Sequence, residues 1–230
     1  MRFLTALGLL ALATAPADAA TRNFGVSGFD RIRVDGPYKV RVQTGIAPFA
    51  IAEGSQTALD GMAIDVQGRT LIVRNNRQTW GGYPGEGRGP VEIRIGVHEL
   101  STAYVNGSGS LAIDQVRGLS FDLSVQGSGS VAIESVKVDQ FKLGVSGSGS
   151  VSLAGEALKL TAIVRGTSDL DASRLKVKDA TIGAEGPSTV KADISGDVKI
   201  DAQGTTAIEL AGGPTCEVRA GGSVSLTGCR

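Results

Sequence analysis

Asn106-Gly107-Ser108-Gly109-Ser110-Leu111-Ala112-Ile113, Gln126-Gly127-Ser128-Gly129-Ser130-Val131-Ala132-Ile133 and Ser146-Gly147-Ser148-Gly149-Ser150-Val151-Ser152-Leu153 are three copies of one pattern. The apolar residue after each Gly-Ser-Gly-Ser is Leu111, Val131 and Val151, so the steps are 20 and 20 residues. Self-similarity at a fixed period marks a coil stacked on copies of itself. The anchors continue to Leu170, Val190, Ile208 and Val224, at steps of 19, 20, 18 and 16. Meanwhile the motif decays to Gly166-Thr167-Ser168-Asp169, Gly186-Pro187-Ser188-Thr189 and Gly204-Thr205-Thr206-Ala207. The rhythm outlives the motif, so coil geometry sets it.

Within a coil the apolar residues alternate with polar ones. Val131 and Ile133 form one run, Val136 and Val138 a second, and Phe141, Leu143 and Val145 a third. In the fourth coil the runs are Leu170 and Ala172, Leu175 and Val177, then Ala180, Ile182 and Ala184. Period two means strands with one buried and one wet face, and it excludes an amphipathic helix. Coils of about 20 residues are too long for a tight hairpin and too short for a strand-helix-strand unit of about 30. Parallel stacking solves the burial problem. Seven coils at about 4.8 Å each predict a prism roughly 30 Å long. Gly107, Gly109, Gly127, Gly129, Gly147 and Gly149 are then corner residues, because glycine accepts positive φ and lets neighbouring corners approach. The fold expected is all-β: a single-stranded parallel β-helix of the pectate-lyase type.

Residues 22–102 lack the motif but keep the strand rhythm, as first coils or a cap on the solenoid of residues 103–230, which ends in its own C-terminal cap. Ile32 and Val34, then Tyr38, Val40 and Val42, alternate with charged residues across the turn Asp35-Gly36-Pro37. Phe49 and Ile51 open another strand, and Ser55 to Met62 has room for one helical turn. Ile64 and Val66 pair with Leu71 and Val73 across Gln67-Gly68-Arg69. Val91, Ile93, Ile95 and Val97 make a further strand. Between them, Arg74 to Pro90 has no periodicity and carries Trp80, the only tryptophan. It reads as a long loop, and long loops in compact domains are usually functional or disordered.

The chain has 230 residues, with Lys plus Arg 23 and Asp plus Glu 23, so the net charge is zero. Nucleic-acid binders carry a basic excess or stripe, which disfavours that class. Aromatics are 4% of the chain, so the core is built from aliphatic side chains. Met1-Arg2, the apolar run Phe3 to Ala15, and Ala17-Asp18-Ala19 read as an export signal over residues 1–19, cleaved after Ala19. No later segment is apolar enough to span a membrane. The expected location is outside the cytoplasm: periplasmic, extracellular or at the cell surface. The only cysteines, Cys216 and Cys229, are predicted to form a disulfide that staples the last coil.

With the repeats in hand, a resemblance follows. Phe29-Asp30-Arg31-Ile32-Arg33-Val34, the lead-in His98-Glu99-Leu100, and the Gly-Ser-Gly-Ser ladder, in that order, resemble the putative auto-transporter adhesin head GIN domain family, a bacterial domain of unknown function. The resemblance covers roughly residues 24–226. It implies a parallel β-helix and an adhesin-like role, and it supplies no catalytic residues. No barrel-like series of strands of about ten residues follows Val224.

Catalytic and cofactor chemistry finds little footing. A phosphate loop needs Gly-Lys-Ser/Thr opening a helix, whereas these glycines run into strands. Calcium-binding coils need an Asp in every short repeat, and Asp114, Glu134, Asp169 and Asp171 are too scattered. Asp169 and Asp171 share a strand face and could do acid-base work on a sugar, as paired carboxylates do in glycosidases, but fold analogy is a weak warrant for it. His98, the sole histidine, has no nucleophile in a recognisable elbow and reads as a strand-end residue. No metal, cofactor or catalytic residue is assigned. The binding candidates are a ladder face and the loop residues Trp80, Tyr83 and Arg88, where aromatics on a glycine-rich segment can stack on a sugar or fill a partner's pocket; Trp80 folded back as an end cap is the structural alternative. The function expected is a non-enzymatic, adhesin-like module that meets a surface glycan or protein. The alternatives are a purely structural envelope protein that self-associates as a homo-oligomer, and a polysaccharide-active enzyme.

Overall fold

The computed structural model describes residues 20–76 and 89–230. The predicted export signal, residues 1–19, lies outside the described residues. In chain order the elements are β1 (Ala20–Phe24), β2 (Arg31–Asp35), β3 (Lys39–Thr44), β4 (Phe49–Gly54), α1 (Gln56–Asp60), β5 (Met62–Gln67), β6 (Thr70–Asn75), β7 (Glu92–Val97), β8 (Thr102–Gly107), β9 (Ser110–Gly127), β10 (Ser130–Gly147), β11 (Ser150–Gly166), β12 (Asp169–Glu185), β13 (Thr189–Ile194), β14 (Asp197–Ala211) and β15 (Thr215–Thr227). All fifteen strands belong to one sheet wound into a β-solenoid.

The long strands β9 to β12 are bent around three faces. In β10 the buried residues are Val131 and Ile133, then Val136 and Val138, then Phe141, Leu143 and Val145. Two consecutive exposed residues, Glu134-Ser135 and Asp139-Gln140, carry the chain from one face to the next. The three apolar runs of each coil are therefore the three inner walls of a prism. On the first face the parallel register stacks Ile93, Val40, Leu111, Val131, Val151, Leu170, Val190, Ile208 and Leu226. On the third it stacks Leu71, Ile32, Ala103, Leu123, Leu143, Ala162, Ile182, Ile200 and Val218. Phe121 and Phe141 stack inside the third face with ring centroids 5.5 Å apart.

Two expectations shift. The seven anchors close about six turns. The last anchor is Leu226 and not Val224, because β14 pairs Ile208 with Leu226 and Thr206 with Val224. The step from Ile208 is then 18, equal to the one before it. The coils shorten because the second face shrinks after Ile194 to a turn at Ser195-Gly196, whose amides bond back to Val177 and Lys178.

The N-terminal part joins the same sheet, but out of sequence order. β2 and β3 form a rung on top of β8 and the start of β9. β6 and β7, later in the chain, form a parallel rung outside β2 and β3. After β1 the chain thus lays the second parallel rung, leaves to build the end, lays the outermost parallel rung and then crosses to Thr102. The crossing is held at Asp30. Its carboxylate accepts from Arg69 at 3.0 and 2.6 Å and from Ser101 Oγ at 3.0 Å, while its carbonyl accepts from Ser101 N at 2.8 Å. Leu100 is buried beside it. The two N-terminal motifs of the family resemblance, Phe29-Asp30 and His98-Glu99-Leu100, therefore flank one crossover.

Antiparallel strands close this end. β1 pairs β4, β4 pairs β7, and β5 folds back on β6 around Gly68 at φ 61°. In β4 the inward residues are Ala50 and Ala52, and the Phe49 ring lies where a Gly96 Cβ would be. The helical turn α1 is capped by Ser55, whose hydroxyl accepts from Ala58 N, and it buries Ala58 and Leu59. Arg22 ties β1 to α1 by donating to Leu59 O at 2.9 Å and to Asp60 at 2.5 Å.

Candidate binding face

The corner between the third and first faces decides the shape of the outer surface. Gly36, Gly107, Gly127, Gly147, Gly166, Gly186, Gly204 and Gly222 form its first column, all at positive φ. A Cβ on Gly127 would stand 2.7 Å from Gly107 O, so a side chain fits neither the dihedral nor the space. The second column turns inward and reads Val91, Tyr38, Gly109, Gly129, Gly149, Ser168, Ser188, Thr206 and Val224. Gly109, Gly129 and Gly149 have ordinary φ and are small for closeness alone: a Cβ on Gly129 would meet Val105 Cγ1 at 2.8 Å and Gly109 O at 2.9 Å. Where the motif decays, Ser168 and Thr206 fill this column and hydrogen-bond the preceding rung, Ser168 to Gly147 O at 3.2 Å and Thr206 to Gly186 O at 3.0 Å.

A corner this lean leaves the first face flat. Its outward residues, in register over three rungs, are Ser110, Ser130 and Ser150 in one column and Ala112, Ala132 and Ser152 in the next. Every side chain ends at its β or γ atom, so the platform is smooth and carries methyls and hydroxyls. At its N-terminal edge stand Lys39 and Arg41, then Glu92 and Arg94. Arg94 pairs with Glu53 at 2.5 Å, and Lys39 lies 4.0 Å from Glu92. With three cations against two carboxylates this edge is basic, and it lines a hollow of about 250 Å³ that reaches Ser110 and Ala112. At the other edge Asp169 and Asp171 stand against Arg174, which donates to Ser152 Oγ at 3.1 Å, and Lys191, in register with Asp171. The platform therefore lies between a basic border and one whose charges balance. The third face is uneven by contrast: Tyr104 and Ile163 protrude from one outward column and are separated by Ser124 and Gly144.

Asp171 accepts from Ser173 Oγ at 2.6 Å and Ser173 N at 3.1 Å. These hydrogen bonds hold its carboxyl below the usual aspartate range, helped by Arg174 and Lys191 nearby. The lowered Asp171 carboxyl carries no proton to donate near neutral pH, the opposite of the raised carboxyl a general acid on a sugar needs. His98 is exposed just past β7, with its carbonyl accepting from Gly45 N at 3.0 Å. Cys216 and Cys229 are disulfide-bonded with Cα atoms 5.7 Å apart. Trp80, Tyr83 and Arg88 lie outside the described residues. Their segment departs at Asn76 and returns at Gly89, between β6 and β7, and Asn75 Oδ1 accepts from Tyr38 OH at 2.5 Å next to that departure. The Ser/Ala platform itself was visible in the sequence only as the polar half of each alternating run; its flatness appears once the rungs are in register.

A family model described as "Putative auto-transporter adhesin, head GIN domain" matches residues 28–214. Among solved structures, a putative adhesin from Bacteroides fragilis NCTC 9343 is similar at TM-score 0.78 and 16% identity, over 91% of this chain and 96% of that one. A structure named as a putative lipid binding protein, from Parabacteroides distasonis ATCC 8503, is similar at TM-score 0.70 and 17% identity, over 91% and 96%. A putative adhesin from Parabacteroides merdae ATCC 43184 follows at TM-score 0.66 and 16% identity, over 90% and 95%. At such identities the likeness is one of fold. No curated protein matches the chain.

Proposed function

The chain belongs to the putative auto-transporter adhesin, head GIN domain family, and from that premise we propose that it is a non-enzymatic, adhesin-like binding module exported to the bacterial cell envelope or surface. The observation that carries the reading is the first face: a flat Ser/Ala platform, exposed or half-buried, with a basic N-terminal border. A platform without relief suits an extended partner, a surface glycan or a protein, that lies across several rungs. The names of similar structures and the apolar start of the chain support export. No helix among the described residues is long and apolar enough to cross a membrane.

Location and binding test it together. Producing cells are protease-shaved and compared with fractionated periplasm, and the purified protein is screened against glycan and matrix-protein arrays. Accessibility from outside and a partner whose binding falls at least about tenfold on Ala132→Lys, with an unchanged melting curve, are the expected results. Retained binding removes the platform from the contact, and full protection inside the periplasm overturns adhesion. A double variant, Trp80→Ala with Tyr83→Ala, puts the same question to the segment between Asn76 and Gly89.

A further inference from the structure

The two ends of the solenoid are finished differently. At the N-terminal end antiparallel strands and α1 lie over the last parallel rung. At the other end β15 pairs with β14 alone, and its second edge is open among the described residues. The disulfide does not cover that edge. It holds Cys229 to Cys216, with Arg230 N donating to Pro214 O at 3.0 Å, and so ties the chain beyond the strand to its first residues. The inner wall is exposed with the edge: Val218 is 41% accessible, whereas Ile200 and Ile182, next in its column, are 2% and 1%. Ala220 is also exposed, and Val224 and Leu226 are half-buried.

Open edges are normally blunted with Lys, Pro, bulges or inward charges, because they template further pairing. Residues 215–227 contain no Lys and no Pro, and the two charges present flank Val218 with opposite sign: Glu217 and Arg219. That order is self-complementary. In an antiparallel pair of two identical strands centred on Val218, Glu217 of each copy faces Arg219 of the other, and Val218 faces Val218. It also matches opposite-charge pairs between outward neighbours on the later rungs. Arg165 pairs with Glu185, Lys191 with Glu209 and Lys199 with Glu217, at 3.1, 3.2 and 3.3 Å. Arg219 stands in register beside Asp201. Across the junction one column would read Lys199, Glu217, Arg219, Asp201, with the last two from the second copy.

We infer that β15 is a self-pairing edge at which a second copy of this chain docks antiparallel about Val218, giving a closed two-fold dimer whose third faces run on as one sheet. A two-fold junction uses the same patch twice and ends there, which distinguishes it from a filament. The inference is independent of the adhesive reading, since it uses neither the first face nor any ligand.

Charge reversal decides it, with the disulfide intact and mass followed by light scattering and sedimentation across concentration. The wild-type protein is expected to pass from monomer to dimer. Glu217→Arg alone and Arg219→Glu alone each create two like-charge pairs, and each is expected to weaken the dimer by about tenfold or more. Mixing the two variants restores both opposite pairs in a heterodimer and recovers wild-type affinity. Val218→Asp is expected to abolish association while the far-ultraviolet circular dichroism stays that of a β-solenoid. A monomer at all concentrations, species that grow beyond two copies, single reversals that dimerise like wild type, or a mixture that fails to recover would each overturn the inference.

Discussion

At the scale of the residue, glycines that look alike in sequence do different work. Gly127 sits at φ 105° with the preceding corner's carbonyl where its Cβ would go. Gly144 lies mid-strand, outside the positive-φ set, and a Cβ there meets nothing within 4 Å. Gly127→Ala is expected to cost more than about 1 kcal/mol, and Gly144→Ala to be neutral or stabilising by about 0.5 kcal/mol, in denaturant titration. Equal effects would refute the corner assignment. Ionisation gives a second residue-scale prediction. Hydrogen bonds from Ser173 lower the Asp171 carboxyl, one from Gln67 lowers Asp65, and one from Arg22 lowers Asp60. A carboxylate whose folded value is depressed stabilises the fold above its unfolded value and loses that contribution as pH falls through the folded one. The melting temperature should therefore decline below about pH 4, where these groups begin to take up protons. A melting temperature that rises on acidification would contradict the sign.

At the scale of the element, β15 is the exposed one. The disulfide spans 13 residues and ties the start of the strand to the chain beyond its end. Through the unfolded chain such a closure is worth about 3 kcal/mol. Replacing both cysteines with Ala should therefore loosen β15 first, leaving the preceding rungs intact, and limited proteolysis would show cleavage within residues 215–227 ahead of any other described strand. The β5–β6 hairpin was readable in advance. Gln67-Gly68-Arg69 is a turn signal between alternating runs, and the observed register pairs Ile64 with Val73 and Val66 with Leu71. The end of the repeat was less readable. Val224 and Leu226 are both apolar and two residues apart, so each satisfies the same inward alternation, and only pairing with β14 distinguishes them.

For the whole molecule, stability runs along one axis. Each rung touches chiefly its neighbours, as in other solenoids, so opening should begin where one neighbour is missing. Amide exchange is expected to be slowest in β9 to β11 and fastest in β15, with β1 and β5 between them as an antiparallel edge. If β15 pairs with a second copy, its amides gain protection as concentration rises; uniform protection along the chain would contradict the one-dimensional picture. The surface charges follow the same axis. Parallel in-register stacking places like charges together where a repeat keeps its charge, as at Arg117 and Lys137, whereas the later rungs pair opposite charges at Arg165–Glu185, Lys191–Glu209 and Lys199–Glu217. Exposed pairs of this kind contribute little stability each.

The coil, its length and the cysteine pair were legible in the amino-acid sequence, because period-two alternation and a fixed repeat are local properties; the sequence left each coil with two apolar runs or three. It also placed the corner at Gly107, Gly127 and Gly147, since a bend that admits no side chain leaves glycine as its signature. The folded chain alone shows that each coil has three walls, that β6 and β7 lie outside β2 and β3, that Asp30 and Ser101 meet at the crossing, and that three serines and their neighbours make a flat platform. The physical reason is that alternation says which side chains point inward, whereas the order of rungs and the relief of a face depend on which strand finds which edge. Those pairings form between residues far apart in the chain, and no local pattern records them.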